Sequence, residues 1–429
     1  MRNTLLAFTL PMAAAAAFGQ PSLTAIPVLP GYEQTRAHAV SGDGLTVAGD
    51  CGFSTSTLAP TNPVPILWSL ADGTRVVPGS AGQPSPIGYA YAINGDGTHA
   101  AGRLGQNNIY RWNAGGLLSL PTVPGTTMGI ALGISADGSA VVGHSLNSPT
   151  KPYRWTAATG TVVLQGGDTG GTARAVSADG SVVAGGLLQT SVTYATRWTG
   201  LDSGGGGGAA HMFHLHGASY GITPDGSVVV GHVTVPGGVG RAHRWTFTAP
   251  FDPPAALDLG TVPGDDYSLR RSTAHAVNAD GTVVVGIAKR APATLGVYPD
   301  TAFLWRDGQE MVDLNVYAAS IGLDMTGWDL RSANGVSADG RVIVGHATLN
   351  GVPRGFVLRL GDANPCGTAD FDGDGDSATD ADIEAFFACL AGTCCPTCWH
   401  LGADFNADGD AATDADIEAF FRVLAGQDC

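Results

Sequence analysis

Two acidic segments near the end of the chain carry the residues best suited to chemistry. The first reads ADFDGDGDSATDADIEAFF from Ala369, and the second reads ADFNADGDAATDADIEAFF from Ala403. In each, acidic or amide side chains occupy alternate positions and a glycine follows, as in loops that wrap oxygen ligands around Ca²⁺. The repetition therefore predicts two calcium loops.

The ligand that closes each predicted loop is displaced by one residue. A standard loop closes at its twelfth residue, but Ala381 and Ala415 stand there. Thr379 suits a helix N-cap and puts Asp382 at the third helical position, which indicates a one-residue insertion after the glycine. The predicted ligands are Asp370, Asp372, Asp374, Asp376 and Asp382 in the first loop, and Asp404, Asn406, Asp408, Asp410 and Asp416 in the second.

A short helix must follow each loop to hold its ligands in place. Ile383, Phe386, Phe387 and Leu390 have helical spacing, and the second copy repeats the pattern. Two such helices can bury their aromatic side chains against each other. A solvated acidic tail is the alternative, and the helical spacing argues against it.

Six of the seven cysteines lie in the same segment, while Cys51 stands alone. In an exported chain they predict three disulfides of open pairing, among Cys366, Cys389, Cys394, Cys395, Cys398 and Cys429. Zinc is the alternative, because Cys395 and Cys398 with His400 have ligand-like spacing, but only one such pair exists. Cys51 is either a reactive thiol or a buried small residue, and burial is the more ordinary state.

The beginning of the chain and its charge indicate export. MRNTLLAFTLPMAAAAAFGQ has one arginine, an apolar stretch and a small-x-small triplet, which predicts a signal peptide over residues 1–19. An uncleaved anchor is the alternative, but the stretch is short for a membrane span, and no span is predicted in the mature chain. Residues 366–429 contain 12 Asp, 2 Glu and one Arg, so the acidity of a chain of net charge −16 concentrates there. Nothing basic is available for nucleic acid.

One phrase recurs seven times between the signal and the tail, as in AHAVSGDGLTVAG from Ala37 and ARAVSADGSVVAG from Ala173. Each copy predicts a hairpin with a type I turn whose final glycine is left-handed. Turn geometry thus explains the recurrent aspartates without catalysis or metal. They are Asp43, Asp96, Asp137, Asp179, Asp225, Asp280 and Asp339.

Aromatic strands follow six of these hairpins, and a fourth apolar run follows most of them. Four strands per unit predict an all-β, seven-bladed β-propeller over residues 20–361, with a small α-helical calcium-loop domain over 362–429. The seventh copy lacks a fourth strand, whereas the segment LTAIPVLPG from Leu23 resembles the fourth apolar run of the other copies. The N-terminal strand is therefore predicted to complete the last blade and close the ring. An open solenoid or a stacked sandwich is the alternative.

Candidate sites in the repeats are weaker than those in the tail. One first-strand position varies between copies, and its residues could bind a glycan or peptide. The favoured interpretation is ordinary sequence drift at an exposed strand position. It holds His38, Tyr91, Leu132, Arg174, Tyr220, His275 and Asn334. His214 and His216 would share one side of a strand as a weak metal pair. No nucleophile with a base, and no carboxylate pair, stands outside the repeat, so no catalytic residue is predicted.

The repeats, including AFLW of Ala302 to Trp305, resemble the bacterial extracellular repeats of the HAF family over about residues 23–360. That resemblance implies export and a propeller-like β fold, and it transfers no catalytic residue. Residues 366–429 resemble the GC-type dockerin-like domains of exported planctomycete-type bacterial proteins, because each loop has only its exiting helix and ACLAGTCCPTC lies between the copies. The insertion and the cysteines depart from cellulosomal dockerins, so the implied partner is a cohesin-like or surface protein.

These patterns together predict a secreted, non-enzymatic propeller attached to an extracellular or cell-surface partner through a calcium-dependent module. A carbohydrate-active enzyme delivered by the same module is one alternative, and it would require paired carboxylates in a central pocket. A purely structural envelope protein is another.

Overall fold

The computed structural model describes residues 21–53, 61–77, 87–105, 108–201, 207–235, 238–263, 271–290, 299–361, 369–374, 376–395, 403, 405 and 411–425. Two compact units divide the chain. The first is Ser22–Arg359, and the second contains the residues from Leu360 onward.

The first unit consists of seven four-stranded antiparallel sheets within the described residues. The first described strand is β1 (Ser22–Ala25). Blades one to three follow in order as β2 (Gln34–Val40), β3 (Thr46–Phe53), β4 (Thr61–Ser69), β5 (Gly73–Val76), β6 (Gly88–Ile93), β7 (Ala100–Leu104), β8 (Asn108–Asn113), β9 (Gly116–Leu120), β10 (Gly129–Ile134), β11 (Ala140–Ser145), β12 (Pro152–Thr156) and β13 (Gly160–Val163).

The remaining blades keep the same order. Blades four and five are β14 (Gly171–Val176), β15 (Val183–Gln189), β16 (Val192–Thr199), β17 (Ala209–Leu215), β18 (Gly217–Ile222), β19 (Val228–Val235), β20 (Val239–Thr246) and β21 (Ala255–Asp258). Blades six and seven are β22 (Ser272–Val277), β23 (Val283–Lys289), β24 (Asp300–Arg306), β25 (Val312–Asp313), β26 (Trp328–Val336), β27 (Val342–Leu349) and β28 (Val352–Arg359), with helix α1 (Leu314–Ser320) after β25.

The ring closes through β1. β1 pairs with β28, with Leu23 opposite Leu358 and Ala25 opposite Phe356. The first strand of each blade lies against that of the next, and β26 lies against β2. The predicted seven-bladed propeller closed by its N-terminal strand is therefore confirmed, and the solenoid and sandwich alternatives are wrong.

The same hydrogen-bonded turn joins the first two strands of every blade. Blade four shows it clearly. The Ser177 hydroxyl donates to the Asp179 carboxylate at 2.6 Å, and the Ser181 N–H donates to that carboxylate at 2.9 Å. Gly180 ends the turn at φ 77°, and its N–H donates to the Ser177 carbonyl at 3.0 Å. These hydrogen bonds, led by that of Ser177, lower the pKa of Asp179. The aspartate is thus a turn residue, as the sequence predicts.

A β-bulge precedes this turn, in the first strand of every blade. In blade four the pairing with β15 skips Arg174, so two residues of β14 share the space opposite one residue of β15. The bulge pushes a first-strand carbonyl toward the neighbouring strand. A Cβ built on Gly185 would lie 2.0 Å from the Thr172 carbonyl oxygen, so only glycine fits there.

The second unit is built from two repeated loop and helix segments. Helix α2 (Asp380–Leu390) begins at the N-cap Thr379, and helix α3 (Asp414–Leu424) begins at the N-cap Thr413. The Phe386 and Phe420 rings stack with their centroids 3.9 Å apart. Phe371 and Phe405, from the two loops, complete this buried core.

Within the described residues, no helix is long and apolar enough to cross a membrane.

Candidate functional site

Three of the predicted calcium ligands meet in the first acidic loop. Carboxylate oxygens of Asp370, Asp372 and Asp374 lie within 4.8 Å of one another. Desolvation raises the pKa of Asp372, and the nearby carboxylates, Asp374 first, raise it further. A hard cation such as Ca²⁺ would relieve the repulsion between these carboxylates, and it suits an all-carboxylate set.

Asp376 stands at the end of this loop. Its N–H donates to a carboxylate oxygen of Asp374 at 2.9 Å, which curls the loop around the cluster. Asp376 lies outside the group of three carboxylates that converge.

Asp382, the predicted closing ligand, ties the loop to the helix. Its side chain is completely buried. One carboxylate oxygen accepts the N–H of Phe371 at 2.7 Å and that of Asp372 at 3.3 Å. The other accepts the Thr379 N–H and hydroxyl, both at 2.8 Å. Burial raises the pKa of Asp382, but these hydrogen bonds outweigh it and the pKa lies below the usual value.

The second loop repeats this arrangement where it is described. The buried Asp416 accepts the Phe405 N–H at 2.7 Å and the Thr413 N–H at 2.8 Å. Both closing aspartates therefore have a role in holding their loops whether or not they also bind a cation. The other predicted ligands of this loop, Asp404, Asn406, Asp408 and Asp410, lie outside the described residues.

The cysteines of the tail include one described disulfide. Cys389 and Cys394 are bonded, with their Cα atoms 4.1 Å apart, and Cys395 follows directly. The other predicted members, Cys366, Cys398 and Cys429, lie outside the described residues. In the propeller, Cys51 is a buried free thiol whose pKa is raised by burial.

One aromatic residue from each tail helix faces solvent. Phe387 and Phe421 are 43% and 47% exposed, and their ring centroids lie 6.3 Å apart. The helical pattern predicts burial of both, and this prediction is wrong. The buried core takes Phe386 and Phe420 instead, and leaves the next residue of each helix on the outside.

The varying first-strand position proves to be the bulged residue of each blade. The pairing of the first two strands skips His38, Tyr91, Leu132, Arg174, Tyr220, His275 and Asn334 in turn. These seven residues, called here the axial ring, lie on the innermost strands. The His38 side chain is only 13% exposed, so drift at an exposed position does not describe this ring.

Members of the axial ring contact one another across blades. The His38 ring lies 5.0 Å from that of Tyr91 in blade two and 5.4 Å from that of His346 in blade seven. On the other side, the Tyr220 ring lies 5.9 Å from that of His275, and the Arg174 guanidinium lies 4.5 Å from the Tyr220 ring. The ring is therefore a polar and aromatic lining of the axis. The sequence feature that could have revealed it is the glycine that recurs in the second strand of every repeat, because every bulge requires that glycine.

The histidines that follow these glycines belong to the same region. His144, His232 and His346 lie on β11, β19 and β27, the second strands of three separate blades. Burial lowers the pKa of all three, to about 4 for His144. They are consequently neutral at neutral pH.

The expectation that His214 and His216 share one side of a strand is wrong. Strand β17 ends at Leu215, and His216 has a left-handed backbone with φ 56°. The His214 ring instead lies 5.9 Å from that of His243 and 6.0 Å from that of Trp245. The alternation expected of a strand therefore stops before His216.

No protein-family model matches the chain, and a search of the curated proteins found no significant match. Among solved structures, a TolB from Agrobacterium tumefaciens is 16% identical, with a TM-score of 0.41 over 67% of this chain and 93% of that one. U3-55K is 13% identical, with a TM-score of 0.48 over 79% and 98% of the two chains. An oligogalacturonate lyase in complex with manganese is 11% identical, with a TM-score of 0.46 over 80% and 97%. Likenesses this distant carry no argument about function.

Proposed function

We propose that the chain is a secreted, non-enzymatic binding protein, held at an extracellular or cell-surface partner by a calcium-dependent C-terminal module. The carboxylate cluster of Asp370, Asp372 and Asp374 carries the proposal. Calcium takes six to eight oxygen ligands, and alternate residues of a tight loop can direct several carboxylates at one ion. The likeness of the tail to dockerin-like domains supports the same role.

The exposed aromatic pair supports the docking step. Phe387 and Phe421 place two apolar rings side by side on the surface of an otherwise acidic unit. Exposed apolar groups framed by charged residues are typical of protein contact surfaces. Calcium in the preceding loops would fix the helices that carry both rings. A cohesin-like or surface protein is the proposed partner.

Calcium titration of the full chain tests the proposal. After treatment with a chelator, calorimetry is expected to show saturable calcium uptake. Replacing two converging carboxylates, in the double variant Asp372→Asn/Asp374→Asn, should weaken uptake at the first loop at least tenfold, because two charged ligands are lost. Glu384→Gln is the matched control, since it removes an exposed charge from helix α2 outside the cluster.

The outcome that would contradict the module is equally clear. A chain that takes up no calcium, and whose circular dichroism is the same in chelator and in calcium, has no calcium-dependent tail. Retention on envelope preparations in calcium but not in chelator would support the docking step.

The carbohydrate-active alternative depends on paired carboxylates near the axis. Among the described residues around the axial ring, Asp50 offers a buried carboxylate. Arg36 contacts it at 3.2 Å and His38 at 2.5 Å, so both partners of Asp50 are cationic or proton-donating groups. Asp50 is thus held by a guanidinium and an imidazole, which is a different arrangement from the carboxylate pair that the enzyme alternative requires.

A further inference from the structure

A cavity of about 130 Å³ lies where blade seven meets its two neighbours. Its lining comes from blades six, seven and one and includes Arg36, Arg331, Arg354 and His346. Asp300 is the acidic residue of this lining. Three guanidinium groups around so small a space favour an anion between them.

Two of the carboxylates near the cavity are already neutralised. Arg36 pairs with Asp50 through two hydrogen bonds of 3.3 and 3.2 Å. Asp300 pairs with Lys289, whose ammonium lies 2.5 Å from its carboxylate. Neither carboxylate is therefore left to compensate the other arginines.

The remaining arginines exceed their acidic partners. Asp329 is shared between Arg290 at 2.8 Å and Arg331 at 3.1 Å, so one carboxylate faces two guanidinium groups. Arg354 makes no ion pair within the part of the chain that the structure describes, and its guanidinium donates to the carbonyl of Glu33 at 2.6 Å. The cavity therefore carries a surplus of positive charge.

Two buried nitrogen atoms point to the same cavity. The Nε of Arg331 and the Nε2 of His346 are buried and have no hydrogen-bond partner among the described residues. Both side chains line the cavity. Buried polar atoms are nearly always paired, and these two are available to a ligand or an ordered water in the cavity.

We infer that this cavity binds one oxyanion group, a carboxylate or a sulfate, of a small ligand. Arginine presents its N–H groups in a planar fork that matches such oxygens, and Arg331 and Arg354 can approach the group from different strands. The inference rests on the proposed binding role of the propeller. It does not require calcium in the tail.

Calorimetry on the full chain, stripped of calcium with EGTA and then dialysed free of the chelator, tests the site. Glucuronate is the probe, glucose is its uncharged counterpart, and inorganic sulfate is the competitor. We expect saturable binding of glucuronate and at least tenfold weaker binding of glucose. Arg354→Gln and Arg331→Gln should each weaken glucuronate binding at least tenfold, because each removes a charge-assisted contact. Arg75→Gln, on the outer strand of blade one, is the control and should bind like the parent chain.

Each result decides the inference. Competition by sulfate supports recognition of any oxyanion, and glucuronate binding without such competition supports a carboxylate site. Arg354→Gln is the decisive variant if Arg331→Gln unfolds through loss of its contact with Asp329. Absence of saturable binding of both anions, or equal binding by Arg354→Gln and the parent, overturns the site. Since EGTA removes calcium, a failure of the calcium module would not produce these results.

Discussion

Buried histidines couple the stability of this propeller to pH, and His144 shows how. Burial, with a smaller effect of Arg174, lowers its pKa to about 4. In the unfolded chain the pKa is about 6.5, so between these values the unfolded state binds more protons. The stability of the fold is thus unaffected by this group above pH about 6.5 and falls as the pH drops toward 4.

His144→Gln should therefore reduce the loss of stability between pH 7 and pH 5 by about 2 kcal/mol. Urea unfolding of parent and variant at both pH values measures this difference. His216→Asn, which replaces an exposed histidine at a left-handed position that asparagine tolerates, is the control for the loss of a histidine side chain. An unaltered pH dependence in His144→Gln would show that this ring is not the group responsible.

Some residue roles could be predicted from the sequence, and others could not. The turn aspartates are local, because Asp179 takes its hydrogen bonds from residues within two positions of itself. The axial ring is not local, since His38 contacts Tyr91 of the next blade and His346 of blade seven, and only closure of the ring brings His346 to it. Spacing could place Phe387 on a helix, but only packing decides whether Phe386 or Phe387 enters the core.

At the scale of the strand pair, the bulge requires glycine at the facing position of the second strand, and a substitution can test this requirement. A Cβ on Gly143 would lie 1.9 Å from the Ile130 carbonyl oxygen, and both atoms belong to strands that cannot move apart without breaking their ladder. Gly143→Ala should cost at least about 3 kcal/mol or prevent folding, because backbone and not a flexible side chain must yield. Thermal unfolding measures the loss.

Gly240→Ala is the matched control for this substitution. Gly240 also lies within a strand, β20, but the nearest atom that its Cβ would meet is 3.9 Å away. It should change stability by less than about 1 kcal/mol. Equal losses of stability in the two variants would mean that strand glycines affect stability through chain entropy. The bulge would then not explain why glycine recurs at this position of every repeat.

At the scale of the whole molecule, the ring depends on a strand from the far end of the first unit. β1 supplies the fourth strand of blade seven, and Ile26 continues the ladder by donating its N–H to the Gly355 carbonyl at 2.8 Å. Ile26 is fully buried among residues of blades one and seven. The sequence could predict this closure because the seventh repeat lacks one strand and the N-terminal segment matches it.

Proline substitutions in β1 test closure, because the ladder alternates along the strand. Since the Ile26 N–H faces β28, that of Thr24 also does, whereas that of Ala25 points away. Thr24→Pro should therefore remove a ladder hydrogen bond and cost about 2 kcal/mol, while Ala25→Pro keeps every bond and should cost less than half as much. Urea unfolding of both variants gives the comparison. Because all seven blades share one ring, the loss should appear as one cooperative transition at lower urea, and equal effects of the two prolines would show that the β1 ladder does not hold the ring closed.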